Sequence, residues 1–198
     1  MNKSTENKKM KEEKMLDTAF NLFTKKGFKE TSIQDIVDNA GVGKGTFYLY
    51  FKDKYDIQNR LIKRKSQKLF SDALIALKKN HIENFEDQII FIINHVIDSL
   101  NKNHLLLKFI SKNLSLGVYN QAITKITDLK DSNEDSLYSL FMDGIQKNNI
   151  KLEKPEACLF MIIELASSTA FNSILYSMPM PIEEFKPLLF KEIRNILR

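Results

Sequence analysis

Leu16, Ala19, Phe20 and Phe23 recur at i, i+3, i+4 and i+7, the period of one face of an α-helix. Residues 1–9 ahead of them are polar and are expected to form a flexible tail. Gly27 is placed to end this helix in a left-handed conformation, with Phe28 folding back on the last turn. Ile33, Ile36, Val37 and Ala40 repeat the same spacing, and either Thr31 with Gln34 or Ser32 with Asp35 supplies a capping box at the start. Gly41 stops that helix, residues 41–43 form a tight turn, and a short helix is predicted over about 44–51. Asp53, with Asp56 three residues on, is placed to cap a long helix. Its stripe of Ile57, Leu61, Phe70, Ala73, Leu74 and Leu77 runs to about Asn80.

The helical pattern continues to the end of the chain. Asn84 with Asp87 opens a helix through Leu100, and its run Ile89-Ile90-Phe91-Ile92-Ile93 is apolar on every side, so it is expected at the centre of a core. A shorter helix is predicted over 105–116, residues 118–135 have no assignable pattern, and Leu137, Leu140, Phe141 and Ile145 mark another helix. Pro155 suits the first position of a long apolar helix reaching Met178. A last helix runs to Leu197 with Leu189, Ile193, Ile196 and Leu197 on one face, and Pro187 is expected to make its first turn irregular or late. No segment alternates as a strand would. The expected fold is all-α with about nine helices, in keeping with only six glycines and four prolines among 198 residues.

Charge divides the chain. Residues 1–68 hold 16 Lys and Arg against 9 Asp and Glu, a net of +7; the remainder holds 14 against 16, a net of −2. An anionic partner is therefore expected for the N-terminal part alone. One cysteine, Cys158, excludes an internal disulfide framework and a four-cysteine zinc site. The segment 157–178 is long enough to span a bilayer, but it carries Glu164, Asn172 and five Ser or Thr residues, so it reads as a buried helix of a soluble, cytoplasmic protein.

The block Thr31 to Lys54, TSIQDIVDNAGVGKGTFYLYFKDK, follows the plan helix, three-residue turn, short helix of a helix-turn-helix. Ala40 is small where two helices cross, and Phe47 and Phe51, at i and i+4, hold the short helix inward. Lys44, Thr46, Tyr48, Leu49 and Tyr50 then face away or sideways, and Gly45 lets backbone approach closely, as a helix entering the DNA major groove requires. Leu49 suits a thymine methyl, and Lys54 suits a phosphate. A nucleotide phosphate loop at Gly41-Val-Gly-Lys-Gly fails, because Gly45 stands where a magnesium-binding Ser or Thr is needed.

This block resembles the TetR family of bacterial transcriptional regulators. The likeness rests on Ala19, Phe23, Gly27-Phe28, Thr31-Ser32-Ile33, Asp35-Ile36, Ala40-Gly41-Val42, Lys44-Gly45-Thr46-Phe47-Tyr48, Tyr50-Phe51 and Lys54, and covers roughly residues 12–60. Val37 and Ile57 depart from the usual alanine and leucine without changing their apolar character. The resemblance implies a DNA-binding domain over 1–55, a helical ligand-binding and dimerisation domain over 56–198, and a homodimer paired through the last two long helices. It implies DNA contacts at Thr31, Ser32, Lys44, Gly45, Thr46, Tyr48, Leu49, Tyr50 and Lys54, the first two to phosphate.

The implied activity is that of a ligand-responsive regulator, a repressor on a palindromic operator in double-stranded DNA, released by a hydrophobic small molecule. A structural DNA-binding protein of the same fold without an effector, such as a nucleoid or division factor, is the alternative. No nucleophile–base pair or cofactor loop is seen, so no enzymatic activity and no cofactor are expected. His81, His95 and His104 have no metal-ligand spacing. Candidate pocket residues are Phe91, His95, Phe109, Phe141, Glu164 and Phe171, though each also suits a plain core. The apolar face Leu189, Ile193, Ile196 and Leu197 is the candidate dimer interface.

Overall fold

A computed structural model describes residues 3–110 and 137–198. Nine α-helices and no strand occur among them: α1 (Lys3–Lys25), α2 (Ile33–Ala40), α3 (Lys44–Tyr50), α4 (Lys54–Asn80), α5 (Phe85–Asn101), α6 (His104–Ile110), α7 (Leu137–Lys147), α8 (Pro155–Tyr176) and α9 (Ile182–Ile196). The all-α expectation holds. The unassigned segment 118–135, and the expected helix beyond Ile110, lie outside the described residues. The chain forms two compact units, Met1–Arg64 and Lys65–Arg198. The first ends later than residue 55 because the opening turns of α4 belong to it: Ile57 and Leu61 are buried, and Arg60 and Arg64 pair with Glu12 and Glu13 of α1, each at 3.3 Å.

In the first unit α1 starts at Lys3, well before the expected residue 10, because Lys, Glu and Met are good helix formers even where nothing packs on them. Met15, Leu16, Ala19 and Phe23 of α1 are buried, as are Ile36, Val37 and Ala40 of α2. Of the two possible caps, Ser32 is the one used. Its Oγ accepts from Asp35 N at 3.0 Å, and the Asp35 carboxylate accepts from Ser32 N at 2.8 Å. Gly41 ends α2 at φ 64°, while Gly41 N donates to Asp38 O and Val42 N donates to Val37 O, the paired bonds of a Schellman motif.

The second unit is built around α5, which is buried at Phe85, Ile89, Ile92, Ile93, Val96, Ile97 and Leu100 and packs against α6, α8 and α9. Asn84 caps it, its Oδ1 accepting from Asp87 N at 3.0 Å. The Lys186 ammonium, itself buried, holds α9 to α5 through Asp98 and pairs with Glu183. Burial alone would lower its pKa, but the two carboxylates together raise it. α8 is long and apolar enough to cross a bilayer, yet Leu159, Ile162, Ile163, Ala166 and Ala170 are buried within the unit.

Two expectations about α9 need correction. Its helix begins at Ile182, ahead of Pro187, so the proline neither delays nor interrupts it; Pro187 is exposed, where water can take the carbonyl that loses its partner. The apolar face is also not free for a partner. Leu189, Ile193 and Leu197 are buried in the unit's own core and Ile196 packs against it, because α9 lies on α5 and α8.

Gly144 of α7 shows how close this packing is. A Cβ there would stand 2.1 Å from the ring of Phe85, which is itself buried and has no room to retreat. Gly144→Ala is expected to destabilise the protein by about 1–3 kcal/mol through overpacking, despite alanine's better helix propensity. A thermal melt no lower than that of the native chain would contradict this contact.

Candidate nucleic-acid interface and apolar cavity

The short helix α3 is oriented by what it buries. Phe47 and Phe51 are almost wholly buried, with ring centroids 5.4 Å apart, and the Arg60 guanidinium lies 5.1 Å from the Phe51 ring centroid. Arg60 also pairs with Asp56 at 3.0 Å, and Asp56 accepts from Lys52 N at 2.9 Å, so the α3–α4 turn is held from α4. Burial pushes the Asp56 carboxyl up, but the bonds from Arg60 and Lys52 outweigh it and lower its pKa. With one face of α3 committed inward, Lys44, Gly45, Tyr48 and Leu49 are exposed, Tyr48 at 54% and Leu49 at 82%. Thr46 and Tyr50 are half-buried at the flanks. Gly43 supplies no side-chain cap, so the first amides of α3 remain available to an acceptor.

The other expected contacts have different surroundings. Thr31 is buried and its hydroxyl donates to Gly27 O at 2.7 Å; it closes the α1–α2 turn rather than facing outward. Ser32 is exposed, but its hydroxyl is engaged in the capping box. Asp35 there has its pKa lowered to about 2, chiefly by the Ser32 backbone N–H and then by Lys26, 3.0 Å away. The Lys54 ammonium donates to Phe28 O and Thr31 O, both at 2.8 Å, more weakly to Lys29 O at 3.4 Å, and sits 4.4 Å from the Phe28 ring centroid. All three ammonium protons thus have carbonyl acceptors, and a phosphate would have to compete with them.

In the second unit a partly open cavity is lined by Phe70 of α4, Ile89, Ile93, Val96, Ile97 and Leu100 of α5, Leu137 of α7, and Leu159, Ile162, Ile163, Ala166, Ser167 and Ala170 of α8. Among the described residues Ser167 is the only polar lining side chain, and its hydroxyl donates to Glu164 O at 3.3 Å. None of the six expected pocket residues is part of this lining. Phe91 and His95 stack on each other along a different stripe of α5, with centroids 6.2 Å apart, and Phe141 is fully buried against Phe85. Phe109 and Phe171 pack against the core from partly exposed positions, and Glu164 is half-buried. The residues around this cavity carry no mark in the sequence, because aliphatic residues around a cavity and in a filled core have the same periodicity.

A different signal was available on the outer face of α8 and α9. Met161, Tyr176 and Leu188 expose half or more of their surface, and Leu188 interrupts an otherwise charged stripe formed by Glu184, Lys191 and Glu192.

Residues 15–61 match the family model described as bacterial regulatory proteins, tetR family. The fatty acid metabolism regulator protein of Bacillus subtilis is 30% identical over 160 residues, covering 73% of each chain. A shorter match, 50% identical over 44 residues, covers 22% of this chain and only 15% of the HTH-type transcriptional regulator YerO of the same species. Among solved structures, FadR of Bacillus subtilis in complex with stearoyl-CoA superposes with a TM-score of 0.63 at 18% identity, over 93% of this chain and 98% of that one.

Proposed function

The chain belongs to the TetR family of bacterial transcriptional regulators, and from that premise we propose that it is a cytoplasmic repressor released from DNA by a long-chain acyl compound. The observation that carries this reading is the cavity: among the described residues its walls are apolar except for one serine. The fatty acid regulator and the stearoyl-CoA-bound FadR support the same ligand class. Such walls can gain free energy from an alkyl chain but offer almost nothing to orient a polar metabolite.

In this reading the repressor acts as a homodimer on a palindromic operator. Met161 and Tyr176 on α8, with Leu188 on α9, form the dimer contact in place of the buried Leu189 face. Lys44, Gly45, Thr46, Tyr48, Leu49 and Tyr50 meet DNA, Tyr48 and Leu49 at base edges. Ser32 stays near phosphate, whereas Thr31 and Lys54 act by fixing the α1–α2 turn. In this reading α4 is the coupling element, since it carries Phe70 of the cavity wall and its first turns belong to the DNA-binding unit. Release then requires tighter ligand binding to the non-operator state, with ~1–3 kcal/mol a typical coupling.

The test is a band-shift assay on fragments selected from the source genome, with and without stearoyl-CoA. Release by stearoyl-CoA is expected, and its loss in Ala166→Phe, which fills the cavity, would tie release to that site. An intact complex at saturating stearoyl-CoA would overturn the effector class. On the same fragments Tyr48→Ala is expected to weaken binding by about tenfold with an unchanged melting temperature; undiminished affinity would remove Tyr48 from the interface.

A further inference from the structure

Ser66 is the only residue among those described whose buried side-chain polar atom has no hydrogen-bond partner. It is 1% exposed, in the middle of α4. A helical serine or threonine commonly satisfies its hydroxyl on the carbonyl four residues back, and this chain does so repeatedly. Thr24 donates to Phe20 O at 2.8 Å, Ser99 to His95 O at 2.8 Å, and Thr169 to Leu165 O. Ser66 does not. A buried hydroxyl left unpaired destabilises the fold that holds it, which makes the exception informative.

Its position gives the reason a direction. Ser66 and Phe70 are four residues apart on one face of α4, and Phe70 is the α4 residue of the cavity wall. Long helical side chains lean back over the preceding turn, so Phe70 covers the turn that carries Ser66. Ser66 thus stands one helical turn before the α4 residue of the cavity wall, on the same face of the helix. Among the described residues the cavity supplies almost no polar group, since the single serine in its lining already donates to a backbone carbonyl.

We infer that Ser66 is the polar anchor of an amphipathic ligand, donating its hydroxyl to a carbonyl oxygen at the head of the molecule whose alkyl chain fills the cavity. The inference rests on the acyl-ligand reading above and adds to it the residue that selects a ligand with a hydrogen-bond acceptor over a bare hydrocarbon. A carboxylate and a thioester share that acceptor chemistry, and the two are separated by the choice of probe.

The experiment is isothermal titration of the full chain and of Ser66→Ala with palmitate and with palmitoyl-CoA, alongside thermal melts without ligand. Ser66→Ala is expected to melt at or above the native temperature, because it removes an unpaired hydroxyl and adds a better helix former. Its affinity for the probe that the native chain binds is expected to fall about tenfold. A loss confined to palmitate assigns the acceptor to a carboxylate, and one confined to palmitoyl-CoA assigns it to the thioester. Equal affinities in the two proteins would overturn the anchor and leave the acyl reading standing. No binding of either probe to the native chain would overturn the acyl reading and the anchor with it. A lowered melting temperature of ligand-free Ser66→Ala would show that the hydroxyl serves the fold instead.

Discussion

Ile193→Asp is expected to unfold the C-terminal unit rather than to separate two folded protomers. Ile193 is fully buried, in one core with Leu189 and Leu197. An aspartate there loses the apolar burial of the isoleucine and places a carboxylate in an apolar core. The first loss is about 2–5 kcal/mol on the scale of large-to-small core changes, and the stranded charge adds several more. The sum approaches the whole stability of an ordinary domain, ~5–15 kcal/mol. Far-UV circular dichroism and a thermal melt read the outcome directly. Leu188→Asp, one residue from the buried Leu189 but half exposed, is the informative contrast. Its melt is expected to stay within about 0.5 kcal/mol of native, as surface substitutions do, while sedimentation velocity shows a monomer. A folded, monomeric Ile193→Asp would return the interface to the face that the structure buries.

Phe47→Ala is expected to abolish binding to every DNA sequence by unfolding the reading head. The Phe47 ring is fully buried between Phe51 and Tyr48, with centroids at 5.4 and 5.5 Å. Truncation of such a ring costs about 3–5 kcal/mol, and the unit that bears the loss, Met1–Arg64, is small and correspondingly marginal. Amide hydrogen exchange should show α2 and α3 losing protection. Leu49→Ala, two residues on and 82% exposed, should leave that protection intact and alter only operator affinity. Retained protection across α3 in Phe47→Ala would mean that the ring does not position the helix.

The two pairs of substitutions show where periodicity sufficed and where it did not. In α3 the inward pair Phe47 and Phe51 could be told from the outward Tyr48 and Leu49 because a short helix after a tight turn has one neighbour to pack on, the rest of its own unit. The same holds for Gly41 with Val42, whose partners lie within five residues, whereas the spacing left the capping box open between Thr31 and Ser32 and the structure uses Ser32. In α9 the stripe Leu189, Ile193, Ile196 and Leu197 was found correctly but assigned the wrong neighbour. Periodicity reports that a face is apolar and says nothing of whether its own chain or a second copy covers it.

The sequence by itself determined the all-α class and most helix positions, the turn chemistry of the DNA-binding unit and the family to which the chain belongs, because caps, glycine turns and the 3.6-residue period are local properties. Only the tertiary structure decided that Lys54 spends its charge on three carbonyls from Phe28 to Thr31, that Leu188 rather than Leu189 is exposed, and that the cavity lies among Ile93, Ile97 and Ile163. Each of these depends on which residues far apart in the chain come to share one space, and side-chain identity along the chain does not encode that distance.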